Sequence, residues 1–138
     1  MALRAFLEKV DLFNELPEDV LDELIQRGAE EHVPGARVLV DQGSPGAGFH
    51  LLLEGSAVVS INGREVATLQ PGDYFGEMSL IDKAPHSATV VSGPDGVKMF
   101  QISPVMFGEL VERSTHCDRV LLKILTLRVR RLEEAAYR

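Results

Sequence analysis

The sequence predicts a mainly β fold with flanking helices: an antiparallel β-roll or jelly-roll barrel, entered through N-terminal helices and left through two C-terminal helices. Three observations predict it. The first 30 residues place apolar side chains at spacings of three and four; residues 33–102 break into short β runs cut by glycine turns; and the helical period returns at Ser103. At 138 residues, 45% hydrophobic and 25% charged, the chain has the size and composition of one domain with its own core.

In the lead-in, residues 1–30, Leu3, Phe6, Leu7, Val10 and Phe13 fall on one helical side, and Val20, Leu21, Leu24 and Ile25 repeat the pattern. Pro17 suits a first helical position, where no N–H is needed, and Gly28 suits the helix end. From Val33 to Ile102 the expected strands are Arg37–Asp41, Phe49–Leu53, Ala57–Ile61, Glu65–Leu69, Ser87–Ser92 and Val97–Ile102, among roughly seven or eight in a closed barrel. Asn62-Gly63 predicts a tight type I′ hairpin, because both central residues of that turn need positive φ. Gly43-Ser44-Pro45-Gly46, Pro71-Gly72-Asp73 and Gly93-Pro94-Asp95-Gly96 read as further turns.

Residues 103–138 return to helix. Ser103 is a good N-cap with Pro104 behind it. A last helix, about Thr115 to Tyr137, carries Leu122, Leu125, Val129, Leu132 and Ala136 at alternating spacings of three and four. That seam fits a homodimer contact, another protein, or burial within the chain.

Charge and composition exclude several classes. The net charge of −7 argues against general nucleic-acid binding. Residues 115–138 hold six Lys/Arg against three Asp/Glu, a basic tail that reads most simply as a solvated helix face. No apolar run approaches 18 residues and no signal-peptide pattern opens the chain, so neither membrane spanning nor secretion is expected. The single cysteine, Cys117, cannot form an internal disulfide and fits a cytoplasmic setting. His32, His50, His86 and His116 are scattered, with no His-x-His pair, so a metal-dependent jelly-roll enzyme is not expected. His116-Cys117 does not make a nucleophile pair, since helical neighbours point about 100° apart.

The stretch "FGEMSLIDKAPHSATV", Phe75 to Val90, stands apart from this scaffold. Gly76 before Glu77 permits a close backbone approach, and Ala84-Pro85-His86-Ser87-Ala88 presents short residues with successive backbone amides. Such amides can form an anion-binding nest, and a carboxylate nearby can accept hydrogen bonds from ligand hydroxyls. The stretch reads as a cradle for a molecule with one negative end and one hydroxyl end.

On these residues the chain resembles the cyclic nucleotide-binding domain family. The helical lead-in, "VPGARVLVDQGSPGAGFHLLLEGSAVVSI", the hairpin, "LQPGDYFGEMSLIDKAPHSATV" and the closing helices come in that family's order. The resemblance implies a non-enzymatic sensor, without cofactor, whose ligand is cAMP or cGMP. It implies that Glu77 takes the ribose 2′-hydroxyl, and that the backbone amides of Gly76, Met78, Ser87 and Ala88, within a cassette that includes Ser79, hold the ring and cyclic phosphate. Gly35, Gly43, Gly55 and Gly72 match the family's turn glycines.

At His86 the sequence departs from the family, which has arginine there to pair with the phosphate. Three readings stay open: His86 contacts phosphate as imidazolium, it serves another ligand, or the pocket is vestigial. In the last case the domain is a degenerate member acting through protein interaction or dimerisation. The family's lid over the purine has three candidates here: the hydroxyl of Thr126 and the cations Arg119 and Arg128. No segment for a helix-turn-helix follows residue 138, so a self-contained transcription factor is not expected.

Overall fold

The computed structural model of the chain describes residues 2–10, 13–14, 16–45, 48–76, 85–106, 109, 122, 125–126, 129–130 and 133. Two helices open it, α1 (Ala2–Lys9) and α2 (Glu18–Arg27). Their apolar faces pack as the spacing predicts: Leu7, Val10, Phe13, Val20, Leu21 and Leu24 are buried, with Leu3, Phe6 and Ile25 packed against them. Pro17 lies one position earlier than expected, at the N-cap, where its carbonyl accepts the Leu21 N–H at 3.0 Å. Gly28 closes α2 through its N–H to the Leu24 carbonyl, in extended rather than left-handed conformation. Its lack of a side chain serves packing, since a Cβ there would overlap the Phe100 ring.

Among the described residues six strands follow: β1 (Ala29–Val33), β2 (Val38–Val40), β3 (Phe49–Ile61), β4 (Arg64–Leu69), β5 (Tyr74–Phe75) and β6 (Thr89–Ile102). They form one antiparallel sheet in the order β1-β6-β3-β4, with β2 also on β6 and β5 also on β3. Among the described residues this sheet is open, which corrects the expectation of a closed barrel. The β-roll class stands.

The reason lies in the two long strands. Phe49–Leu53 and Ala57–Ile61 are one strand, and so are the two runs flanking Gly93-Pro94-Asp95-Gly96. Glycine bends these strands instead of ending them. Gly55 has φ 88°, and a Cβ there would overlap the Gly96 carbonyl oxygen, so the β3–β6 ribbon turns a corner where the backbones touch. Residues 93–96 bulge opposite Ser56, because β3 pairs with β6 through Gly55↔Val97 and Ala57↔Ser92. Below the corner, β1 and β5 flank the ribbon; above it, β2 and β4 do. The roll is this four-strand layer folded on itself.

Strand alternation then splits the core in two. Phe49, Leu51, Leu53, Phe100 and Ile102 face α1 and α2. Leu52, Met99, Val97, Ala57, Phe75, Val90 and Val40 face the other way, into the fold of the roll. The Asn62-Gly63 turn forms as predicted, with φ of 52° and 80° and Ile61 paired to Arg64. Ser103 caps the next helical residues, its Oγ accepting the Met106 N–H at 3.2 Å. The last helix lies mostly outside the described residues; Leu122, Leu125, Thr126 and Val129 are helical.

Candidate functional site

The site is built where the two ends of the 75–90 stretch meet the start of β3. At the first end, Phe75 pairs with His50 and Tyr74 with Leu51, so β5 delivers the chain to Gly76 along the edge of β3. Gly76 has φ 87°, and a Cβ there would overlap the Gly48 carbonyl oxygen. Both facts demand glycine. Gly76→Ala is expected to cost about 1–3 kcal/mol from the backbone conformation alone, measured as a drop in urea-unfolding stability; an unchanged midpoint would mean that the crossing is loose.

At the second end, residues 85–88 are held by the loop after β2. The His86 N–H donates to the Ser44 carbonyl and the Gly43 N–H donates to the His86 carbonyl, each at 2.9 Å. The Gln42 N–H donates to Thr89 Oγ1 at 2.9 Å, and Thr89 Oγ1 donates to Asp41 Oδ1 at 3.3 Å. The glutamine side chain continues the tie to the hairpin tip, accepting from the Asn62 N–H and donating to Asn62 Oδ1. This clamp narrows the expected nest: the His86 amide is engaged, which leaves those of Ser87 and Ala88 without a hydrogen bond to any described residue. Ser87 is exposed and Ala88 half-buried.

His86 itself turns inward, only 8% exposed, and its Nε2 is buried without a partner among the described residues. Facing it is a residue that sequence reasoning missed. His50 is 5% exposed, stacks on Phe75 with ring centroids 4.9 Å apart and planes 7° apart, and has a buried Nδ1 that likewise lacks a partner. Burial, and secondly the repulsion of a charge on His86, push the His50 imidazole down to about 4, with the Gly48 backbone offsetting part of this. The histidines are scattered in sequence, but the fold brings these two together. The available signal was a single polar residue inside the apolar run Phe49–Leu53, on the face that also carries Leu52. Among the described residues no group of three or more His, Cys, Asp or Glu is placed to hold a metal ion, and no helix is long and apolar enough to cross a membrane.

Glu77, Met78 and Ser79 lie outside the described residues, as do Leu132 and Ala136 of the seam and the two cations weighed for the lid. Thr126 donates its hydroxyl to the Leu122 carbonyl at 2.8 Å, so that proton serves the helix. Leu122, Leu125 and Val129 are between 45% and 64% exposed.

The comparisons with known proteins agree with this architecture. The family model described as "Cyclic nucleotide-binding domain" matches residues 30–114. A cGMP-dependent protein kinase of Toxoplasma gondii is 37% identical over 89 residues, covering 64% of this chain and 9% of the kinase. Human cGMP-dependent protein kinase 2 is 32% identical over 114 residues, covering 78% of this chain and 15% of the kinase. The chain thus spans a small part of these relatives. Among solved structures, the regulatory domain of Toxoplasma gondii PKA with cAMP superposes with a TM-score of 0.72 at 29% identity, covering 78% of this chain and 42% of that one.

Proposed function

The chain belongs to the cyclic nucleotide-binding domain family, and from that premise we propose that it is a regulatory module that binds cAMP or cGMP between Gly76 and Ala88 and passes occupancy to its C-terminal helix. The observation that carries the reading is that, at the end of the stretch, the amides of Ser87 and Ala88 have no hydrogen-bond partner among the described residues while the His86 backbone beside them is clamped to Gly43 and Ser44. The amides donate to the cyclic phosphate oxygens, and the Gly76 crossing on Gly48 fixes the other end of the stretch. His86 stands beside them, where the family has arginine, with a buried nitrogen that has no partner among the described residues. Glu77 takes the ribose hydroxyl, and Met78 and Ser79 complete the cassette. The 138 residues act as one domain, in a cytoplasmic setting that the lone Cys117 fits.

Signal passes when ligand binds two arrangements of the C-terminal helix unequally. Ser103 and Met106 fix the start of that helical region against the α1–α2 core, and Arg27 on α2 pairs with Glu109 at 2.6 Å. Thr126 becomes a lid contact only if its hydroxyl leaves the Leu122 carbonyl or accepts a bond from the purine. Thermal unfolding with cAMP, cGMP and cyclic dinucleotides tests the binding. Ligand at 100 times its Kd adds about 2.7 kcal/mol, and no shift with any of them removes the reading.

The exposure of Leu122, Leu125 and Val129 favours a second role, which also holds if the pocket is degenerate: protein interaction or homodimerisation through a seam of Leu122, Leu125, Val129, Leu132 and Ala136. Leu125→Asp is expected to convert a dimer to a monomer in light scattering, because a desolvated carboxylate in an apolar seam costs several kcal/mol. The same mass for both proteins ends the dimer proposal.

A further inference from the structure

We propose that the site takes up its anion together with a proton, and that His50 and His86 hold that proton between them. The inference rests on the nucleotide-binding reading and adds to it a residue, His50, that lies outside the 75–90 stretch. Three observations carry it. Each histidine is more than nine-tenths buried and each has a nitrogen with no partner among the described residues, Nδ1 of His50 and Nε2 of His86. Buried polar atoms are rarely left so, and a ligand oxygen would satisfy them. The two residues are also tied to opposite ends of the 75–90 stretch. His50 stacks on Phe75, the residue before Gly76, while His86 is locked to the Ser44 and Gly43 backbone. A proton here would therefore draw both ends toward one anion.

Without ligand, the buried His50 imidazole resists charging. Removing it from water disfavours its cation, and a charge on His86 would oppose one on His50. Among the described residues, the other ionisable groups on neighbouring elements are occupied or turned away. The Lys98 amine on β6 pairs with Glu54 at 3.7 Å, and Asp41 in the loop accepts from Thr89. Tyr74 on β5 faces the helices, its ring against Phe49, and Gln101, paired with His50 across the sheet, is uncharged. Only His86 acts on His50 by charge among the described residues. A cyclic phosphate brings one negative charge, which reverses the balance and favours one imidazolium in the pair. Arginine, in contrast, carries its charge at all times.

The test is calorimetric titration of the protein with cAMP and with cGMP from pH 6 to 8, in two buffers of different ionisation heat. Wild type is expected to take up as much as one proton per nucleotide, with Kd tightening by at most about tenfold for each pH unit lowered. His86→Gln is expected to weaken binding and abolish the uptake. His50→Phe keeps a ring against Phe75 and is expected to bind nucleotide while changing the pH at which uptake occurs. Binding with no proton uptake overturns this inference and leaves the nucleotide-binding reading standing. Uptake that His50→Phe leaves unchanged at every pH overturns the shared role of His50. Absence of binding at every pH overturns both the inference and the reading beneath it.

Discussion

His86→Arg is expected to tighten cyclic nucleotide binding by roughly 10- to 150-fold, the equivalent of a charge-assisted hydrogen bond of about 1.5–3 kcal/mol. A guanidinium grips phosphate through two parallel N–H bonds and stays charged at any working pH, which an imidazole cannot do. The same change should weaken the empty domain. Position 86 is 8% exposed, so without ligand the arginine is a cation placed in a buried position. Calorimetry and thermal unfolding together read both effects: a lower Kd, a lower melting temperature without nucleotide, and a larger rise on adding it. No gain in affinity would mean that the phosphate does not approach residue 86.

The second large effect is on stability against acid. His50 titrates at about 4 in the folded chain against 6.5 when unfolded, first through burial and then through His86. Above pH 6.5 the imidazole is neutral in both states and its contribution is fully present. As pH falls from 6.5 toward 4, the unfolded chain binds a proton that the folded chain refuses, so stability is lost at about 1.4 kcal/mol per pH unit, or about 3 kcal/mol across the window. His50→Phe removes the titrating group and preserves the stack on Phe75. Urea unfolding at pH 7 and pH 5 should show the wild type losing about 2 kcal/mol more than the variant over that interval. Equal losses would mean that His50 reaches water or finds a partner in the folded state.

Local chemistry was legible in the sequence where a single turn decides it. Asn62-Gly63 could form little else than a type I′ hairpin, and Ser103 caps its helix. The apolar faces of α1 and α2 were legible because period and burial coincide. β1 was not: the strand begins at Ala29, before the change of texture at Val33, and Ala29-Glu30-Glu31 has neither β-branching nor alternation to announce it. It exists because the exposed edge of β6 pairs with it from Ala29↔Gln101 to Val33↔Val97. The closed barrel failed for a related reason, since glycine in a strand marks either an end or a bend, and only the contact of Gly55 with Gly96 tells which.

The site divides along the same line. Gly76, Ser87 and Ala88 could be named from composition and resemblance, because a phosphate cradle needs short residues and free amides. The loop that clamps them, through Ser44, Gly43 and the Gln42–Thr89–Asp41 chain, depends on bonds between residues distant in sequence. His50 depends on them as well. A histidine in an apolar strand reads as a satisfied core residue until the fold sets His86 against it.

The central claim is that a cyclic nucleotide sits with its phosphate on the Ser87 and Ala88 amides. Amide chemical shifts followed through a titration with cAMP and cGMP test it most directly. Saturable shifts are expected at Gly76, His86, Ser87 and Ala88, with smaller ones at Gly48, just before β3, and at His50 on it. No shift at the highest nucleotide concentration, or shifts confined to the Leu122–Val129 face, would contradict it.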